Sequence, residues 1–318
     1  MSFQPLAVLV TGASAGVGHD TAARLAAAGH RVVLHGRTQE AGERAAAQLA
    51  AGGADPDLLS VVAADFTRLD DVVVMAKQVA AGCPALDVLV NTVTVAGSDQ
   101  RALTENGNEL QFQVNYLAPY LLIRGLAEPL AQSAAARVIA VSSVLHRGAR
   151  LDWTDPNRDR RYTKLTAFAQ SQLALTIFTS SLAGSVTAIS VDPGPTDRRV
   201  LRLHRTGTLP AADAADVLAR LCDPAVELVN GAFYDRLQPT AAVPPVGDRR
   251  AHERLRKLTD RLTTTACVPV RSTSCCCCSR SPCSSSWCAG SSPEPPEPVP
   301  AGQYRVMTCL TRVYSSTE

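Results

Sequence analysis

The chain has 318 residues, 46% of them apolar, which is enough for one large domain or two small ones. A formal net charge of +2, with acidic and basic residues interleaved, leaves no electrostatic footprint for nucleic acid. No apolar run reaches the roughly 18 residues of a membrane span, and no signal-type segment precedes Val8, so a soluble cytoplasmic protein without membrane association is expected. Of the ten cysteines, only Cys83, Cys222 and Cys267 precede the crowded tail, so the body reads as a reduced domain without a disulfide framework.

Apolar runs of strand length alternate with helical patterns. Leu6–Val10 reads as a strand, and Ala13–Gly29 as a helix that stops at its glycine. Arg31–His35 is the second strand, followed by a helix over Gln39–Ala51 and a Gly-Gly-Ala-Asp-Pro break. Leu58–Ala63 is the third strand, and Thr67-Arg-Leu-Asp70 fits a capping box opening a helix toward Ala81. Leu86–Val90 is the fourth strand, with a long helical stretch over Glu105–Ala131 behind it. Arg137–Val141, Val186–Val191 and Gly231–Tyr234 are strands five to seven, separated by helices at Lys164–Leu182 and Ala211–Leu221. Strands this apolar, without polar alternation, are buried on both faces. The expectation is an α/β doubly wound sheet, mostly parallel and seven-stranded, with helices on both faces and a ligand crevice at the strands' C-terminal ends.

Between the first strand and the first helix lies Thr11-Gly-Ala-Ser-Ala-Gly-Val-Gly18. A strand that stops at a glycine turn and reopens as a helix offers backbone N–H groups and a positive helix end to a phosphate. Gly12, Ser14, Gly16, Val17 and Gly18 are therefore candidate cofactor contacts, although a turn without a ligand would carry the same residues.

The tail is different in kind. From Ala266 onward Ser, Cys and Pro dominate, and periodicity is lost. Four adjacent cysteines, Cys275–Cys278, cannot all aim at one tetrahedral ion, so no metal site is expected. The domain reading is residues 1–265 as one dinucleotide-binding domain and 266–318 as a disordered tail.

Taken in order, several elements resemble the short-chain dehydrogenase/reductase family over roughly residues 5–265. They are the glycine turn, Asp65 after the third strand, Leu86-Asp-Val-Leu-Val-Asn91, Asn115 in Val-Asn-Tyr-Leu-Ala-Pro, Val141-Ser-Ser143 and Pro193-Gly194. Leu151-Asp-Trp, Arg160-Arg-Tyr162 and Gly231-Ala-Phe-Tyr-Asp-Arg236 with the helix Arg249–Leu262 resemble its retinol-dehydrogenase-like branch.

The resemblance implies an oxidoreductase that acts on a carbonyl or alcohol as a small-molecule substrate, with a nicotinamide dinucleotide as cofactor. Asp65 and Phe66 would then flank the adenine, Asn91 the ribose path, and Pro193, Gly194 and Thr196 the nicotinamide end. A homodimer or homotetramer is also implied, formed through the helices at Glu105–Ala131 and Lys164–Leu182, with Leu173, Ile177 and Phe178 at the contact. The second strand ends in His35-Gly-Arg37, without the carboxylate that would accept from ribose hydroxyls in an NAD site. Arg37 can meet a 2′-phosphate with a forked contact, which favours NADP(H) over NAD(H); a solvated arginine opening a helix is the plainer alternative. Where the family has Asn-Asn-Ala-Gly, this chain has Asn91-Thr-Val-Thr94, so close backbone approach to the ribose is at issue.

The family's chemistry uses a tyrosine and a lysine four residues apart on one helix, with a serine and an asparagine nearby. Ala167-Phe-Ala-Gln-Ser-Gln-Leu-Ala174 matches that helix by its neighbours. The match sets Phe168 at the tyrosine position and Gln172 at the lysine position, while Ser143 and Asn115 are retained. Phenylalanine exchanges no proton, and losing a positioned acid costs about 10²–10⁴-fold in rate. His146 and Tyr162 are the candidate substitutes, each with a packing role as the plainer alternative. Three functions follow: an oxidoreductase by ancestry, a catalytically inactive cofactor-binding partner or sensor, or a non-redox enzyme such as a cyclase, dehydratase or isomerase. The Arg-rich stretch Thr196–Leu209 reads as a lid.

Overall fold

The first strand, β1 (Ala7–Thr11), sends Val8 and Val10 into one core and Leu9 into another. The same split recurs at Val88 and Val90 against Leu89, and at Ile139 against Val138 and Ala140. Residues pointing to alternate faces of a strand can both be apolar only when helices cover both faces. In the computed structural model, which describes residues 4–194 and 211–264, that is the arrangement. The chain divides into two units, Met1–Cys267 and Val268–Glu318, and the described residues all belong to the first.

The remaining strands are β2 (Arg31–Gly36), β3 (Leu59–Ala63), β4 (Val88–Asn91), β5 (Arg137–Val141), β6 (Thr187–Asp192), β7 (Phe233–Asp235) and β8 (Gln238–Thr240). They form one sheet in the order β3-β2-β1-β4-β5-β6-β7-β8. Every pairing is parallel except the last, β7 with β8. Strand order reverses between β1 and β4, where an open α/β sheet has its ligand crevice. The eighth strand was not expected from Gln238-Pro-Thr240, because a three-residue polar edge strand carries no periodicity.

On one face lie α1 (Gly16–Ala27), α2 (Gln39–Ala51) and α8 (Ala211–Cys222). On the other lie α3 (Leu69–Gly82), α5 (Ala118–Gly125), α7 (Lys164–Ser181) and α10 (Arg249–Thr263). Among the described residues, no helix is long and apolar enough to cross a membrane.

Three expectations change. The helix over Glu105–Ala131 is broken into α4 (Leu110–Phe112), a π turn (Gln113–Leu117), α5 and α6 (Ala127–Ala131). Pro119 and Pro129 sit just inside the starts of α5 and α6, where a missing N–H costs least. The capping box at Thr67 does not form. Asp65 Oδ1 captures both the Thr67 N–H and its hydroxyl, the helix begins at Leu69, and the Leu69 N–H donates to Asn106 Oδ1 instead. A capping box does open α7, between Thr163 and Thr166.

The third change concerns association. Leu173, Ile177 and Phe178, expected to face a symmetry mate, are buried within the chain. The helix α10 covers them: Tyr116 hydroxyl meets Thr259, Tyr120 hydroxyl donates to Asp260 at 2.9 Å, and Leu255 and Leu258 join the same core. A short α9 (Pro244–Gly247) leads into that helix and adds Val246.

Candidate active site

A cleft of about 510 Å³ opens at the C-terminal ends of the strands, at the point where their order reverses. Its walls are the β1–α1 turn, the ends of β2 and β3, the segment after β4, Val114 of the π turn, the ends of β5 and β6, and one residue of α7. Gly12, Ser14, Gly16, Val17, Gly18, Arg37, Asp65, Phe66, Ser143, Phe168, Pro193 and Gly194 all line it.

The three glycines of the turn serve different ends. Gly12 has φ +68°, and a Cβ there would stand 2.9 Å from Thr92 Oγ1. At Gly18 a Cβ would lie 2.5 Å from the Gly12 carbonyl oxygen, so the helix could not seat against the turn. Only Gly16, with φ +59°, has open space where its Cβ would be. It opens α1 with no side-chain cap, so the first N–H groups of that helix are aimed at the cleft without a protein acceptor from the cap position.

At the far end of β2, Arg37 pairs with Asp65, Nη2 to Oδ2 at 2.7 Å. Burial pushes the Asp65 carboxyl up, but hydrogen bonds from Thr67 and Arg37 outweigh it and hold the group below the usual carboxylate range. His35, just before, has its ring in the cleft wall and stacked on Phe66 at 4.8 Å between centroids.

The segment after β4 is clamped to β1. Thr92 N–H donates to Thr11 Oγ1 at 3.0 Å, and its hydroxyl donates to the Thr11 carbonyl at 2.5 Å. Val93, Thr94 and Val95 then line the cleft, so methyl groups stand where the family's alanine and glycine would leave bare backbone. Asn91, expected on the ribose path, lies beneath this wall. It is fully buried, accepts from Thr11 Oγ1 at 3.1 Å, and its Nδ2 has no partner.

Asn115 sits in the π turn and spends both ends of its amide on the protein. Its Nδ2 donates to Val95 O at 2.9 Å and Ser171 Oγ at 3.0 Å, while its Oδ1 accepts from Val95 N–H at 2.8 Å. It therefore ties the segment after β4 to α7 without lining the cleft. Ser143 caps the short 3-10 turn Val144–Gly148, accepting from Leu145 N–H at 3.2 Å. Phe168 presents its ring to the cleft from α7 and is 1% exposed. One turn later Gln172 is equally buried, with neither amide atom hydrogen-bonded.

Neither candidate substitute for the acid lines the cleft. His146 is fully buried, donates through Nδ1 to the Ser143 carbonyl at 2.7 Å and packs on Phe233, and burial pushes its pKa down. Tyr162 donates to Ser98 O at 2.8 Å and accepts from Gln111; burial pushes its hydroxyl up, away from a working pH. Thr196 and the stretch Thr196–Leu209 lie outside the described residues, as does the tail from Ala266.

Sequence reasoning missed Asp192. Its Oδ2 accepts from Val144 N–H and its Oδ1 from Gly194 N–H, both at 2.8 Å, joining the turns after β5 and β6 at the cleft wall. The signal was available, since a carboxylate just ahead of a Pro-Gly turn suits an Asx-type bond to the backbone two residues on.

A doubly wound sheet with a glycine turn at its switch point defines the class of dinucleotide-binding α/β proteins. The family model described as short chain dehydrogenase matches residues 6–154. Retinol dehydrogenase 14 of Mus musculus is 31% identical over 277 residues, covering 78% of this chain and 83% of its own. A probable oxidoreductase of Streptomyces lividans is 34% identical over 191 residues, 58% of this chain and 63% of its own. A solved structure from Mycobacterium Paratuberculosis aligns with a TM-score of 0.66 at 27% identity, covering 83% of this chain and 95% of its own. A metagenomic short-chain oxidoreductase, solved in complex with NADP, aligns with a TM-score of 0.54 at 27% identity, over 68% of this chain and 90% of its own. The chain belongs to the short-chain dehydrogenase family.

Proposed function

We propose that the chain binds NADP(H) in this cleft and has lost the proton relay of its family, so that it acts as a cofactor-binding partner or sensor. The glycine turn and the start of α1 would hold the pyrophosphate, Arg37 the 2′-phosphate, and Asp65 with Phe66 the adenosine. The residues present fit the adenosine end of such a cofactor: an open left-handed glycine, uncapped helix N–H groups and an exposed guanidinium converge there. When bound, the dinucleotide would supply a hydride at its nicotinamide end. Carbonyl reduction also needs a proton at the substrate oxygen, and an alcohol's oxidation needs a base at the same place.

One observation carries this reading. The α7 side chain facing the cleft is Phe168, which has no proton to give, and Gln172 one turn on has no charge with which to tune one. Ser143 alone can orient an oxygen but does not titrate in the working range. Family membership, the retinol dehydrogenase relative and the NADP complex of a structural neighbour support the ancestry and the cofactor.

Calorimetric titration with NADPH and NADH, beside a turnover assay on ketones and aldehydes, tests both halves. Tight NADPH binding with negligible oxidation is expected. Absence of NADPH binding, or robust turnover, would overturn the reading.

A further inference from the structure

His35 sits at the meeting point of three chain segments and is 2% exposed. Gly12 N–H donates to its Nδ1 at 3.0 Å. Its Nε2 lies 2.9 Å from the Ala64 carbonyl, which can only accept. Together these contacts fix one state of the ring: neutral, with the proton on Nε2. The backbone of the same residue accepts from Ala13 N–H at 2.9 Å. One histidine therefore spans the glycine turn, the end of β2 and the end of β3, next to Asp65 and against Phe66.

The positions it joins are the ones the cleft offers to a dinucleotide. Gly12 begins the turn that carries Gly16 and opens α1, while Ala64 precedes the pair Asp65 and Phe66. A leucine or alanine at position 35 would leave both the Gly12 N–H and the Ala64 carbonyl without the partner they now have. A protonated ring would turn its Nδ1–H against the Gly12 N–H, and the turn would have to move.

We propose that His35 is a positioning residue for the dinucleotide, holding the glycine turn in its binding shape only while the imidazole is neutral. This rests on the reading of the cleft as an NADP(H) site. Dinucleotide affinity then falls as the ring takes up a proton.

The charged and titratable groups around the ring are few. Asp65, on the β3 side, favours the protonated form but is engaged by Arg37; Asp71 accepts from the Asp65 N–H; His19, on the α1 side, contacts the Ala13 carbonyl. Burial outweighs them and lowers the pKa of His35 from 6.5, so the loss of affinity lies on the acid side of that value. A positive ring close to a pyrophosphate would work in the opposite sense, by direct attraction, and the two effects predict opposite slopes.

The experiment titrates NADPH into the full chain from about pH 5 to about pH 8, in the natural protein and in His35→Asn. Asparagine places an acceptor where Nδ1 was and cannot take up a proton there. Both proteins share the titration of the cofactor's own 2′-phosphate, near a pKa of about 6, and of every other group outside position 35, so only the difference between their profiles reports on His35. The natural protein should lose affinity in acid more steeply than His35→Asn, by up to about tenfold per pH unit, whatever the offset between them at neutral pH, where asparagine no longer reaches the Ala64 carbonyl. The imidazole ¹⁵N shifts of the natural protein, read without any ligand, should show the Nε2–H form.

Parallel profiles, tighter binding by the natural protein in acid, or an Nδ1–H ring would overturn the proposal. NADPH bound by neither protein at any pH, with the Nε2–H ring present, would refute the cleft reading itself and this inference with it. His35→Leu should bind NADPH at least about tenfold more weakly throughout. If it fails to fold, the other two measurements still decide.

Discussion

Arg37 and Asp65 converge at the mouth of the cleft: Nη2 and Nε of the arginine stand 2.7 and 2.8 Å from the same carboxylate oxygen, Oδ2. The other oxygen is held by Thr67 N–H at 2.9 Å and the Thr67 hydroxyl at 2.8 Å. The carboxylate is thus fixed by its own loop, while the arginine side chain remains 72% exposed. An exposed pair of this kind contributes about 0–1 kcal/mol, so turning the guanidinium from Asp65 toward a phosphate costs little.

Replacing Arg37 by alanine should therefore separate the two cofactors. A charge-assisted contact to a 2′-phosphate is worth about 1.5–3 kcal/mol, so NADPH affinity should fall about ten- to a hundredfold. NADH affinity should stay within a few-fold, since no 2′-phosphate is there to lose. Calorimetry with both dinucleotides on the natural chain and Arg37→Ala reads the difference, and an equal loss for both would refute the assignment.

Gly16 and Gly18 should respond differently to alanine. At Gly16 nothing lies within 4 Å of the new Cβ, so the cost to stability is the left-handed backbone alone, about 1–2 kcal/mol. The methyl group would point into ligand space, and NADPH binding should suffer far more than folding. At Gly18 the Cβ would stand 2.5 Å from the Gly12 carbonyl, and stability itself should drop steeply. Chemical denaturation beside NADPH titration of the two variants distinguishes these outcomes.

Helix α10 should be part of the folded core. Leu255 is 2% exposed and packs in the cluster that holds Ile177 and Phe178. Leu255→Ala should cost about 2–5 kcal/mol, measured as a lower denaturation midpoint at unchanged slope. A change within about 0.5 kcal/mol would mean that the helix is only loosely seated.

Stability should decline in mild acid. Burial lowers the pKa of His30, His35 and His146 below 6.5, so the unfolded chain binds protons there more readily than the folded one. Stability is then fully present above about pH 6.5 and is lost as pH falls toward the lowered folded values. Asp65, with its folded pKa below the ordinary carboxylate range, adds a second loss further into acid. A thermal midpoint that rises as pH drops below about 6.5 would contradict this sign.

The strands and most helices could be read from apolar runs, because a parallel sheet covered on both faces needs near-continuous Val, Leu and Ile. The helices α2 and α7 begin where expected, at Gln39 and Lys164. The break of the Glu105–Ala131 stretch into a π turn was not legible, since it depends on Asn115 reaching the Val95 backbone across the fold. The covering of α7 by α10 was also hidden, because an apolar stripe looks the same whether its partner is another copy or a distant part of the same chain. At the site, the glycine turn, Arg37 and Asp65 were readable as a local motif. His35 was not, for its role lies in Gly12 and Ala64, brought to it only by pairing of the strands. The burial of His146 and the turning of Tyr162 toward Ser98, away from the cleft, likewise needed the tertiary structure.

The most direct test of the central claim is NADPH oxidation by the natural chain and by Phe168→Tyr, Gln172→Lys and the double variant, on a panel of ketones and aldehydes. The natural chain should show turnover near background, and the double variant should gain more than the two single changes combined, since lysine helps only when a tyrosine is there to be tuned. Robust turnover by the natural chain that persists in Phe168→Ala would contradict the account and place the proton donor elsewhere in the protein.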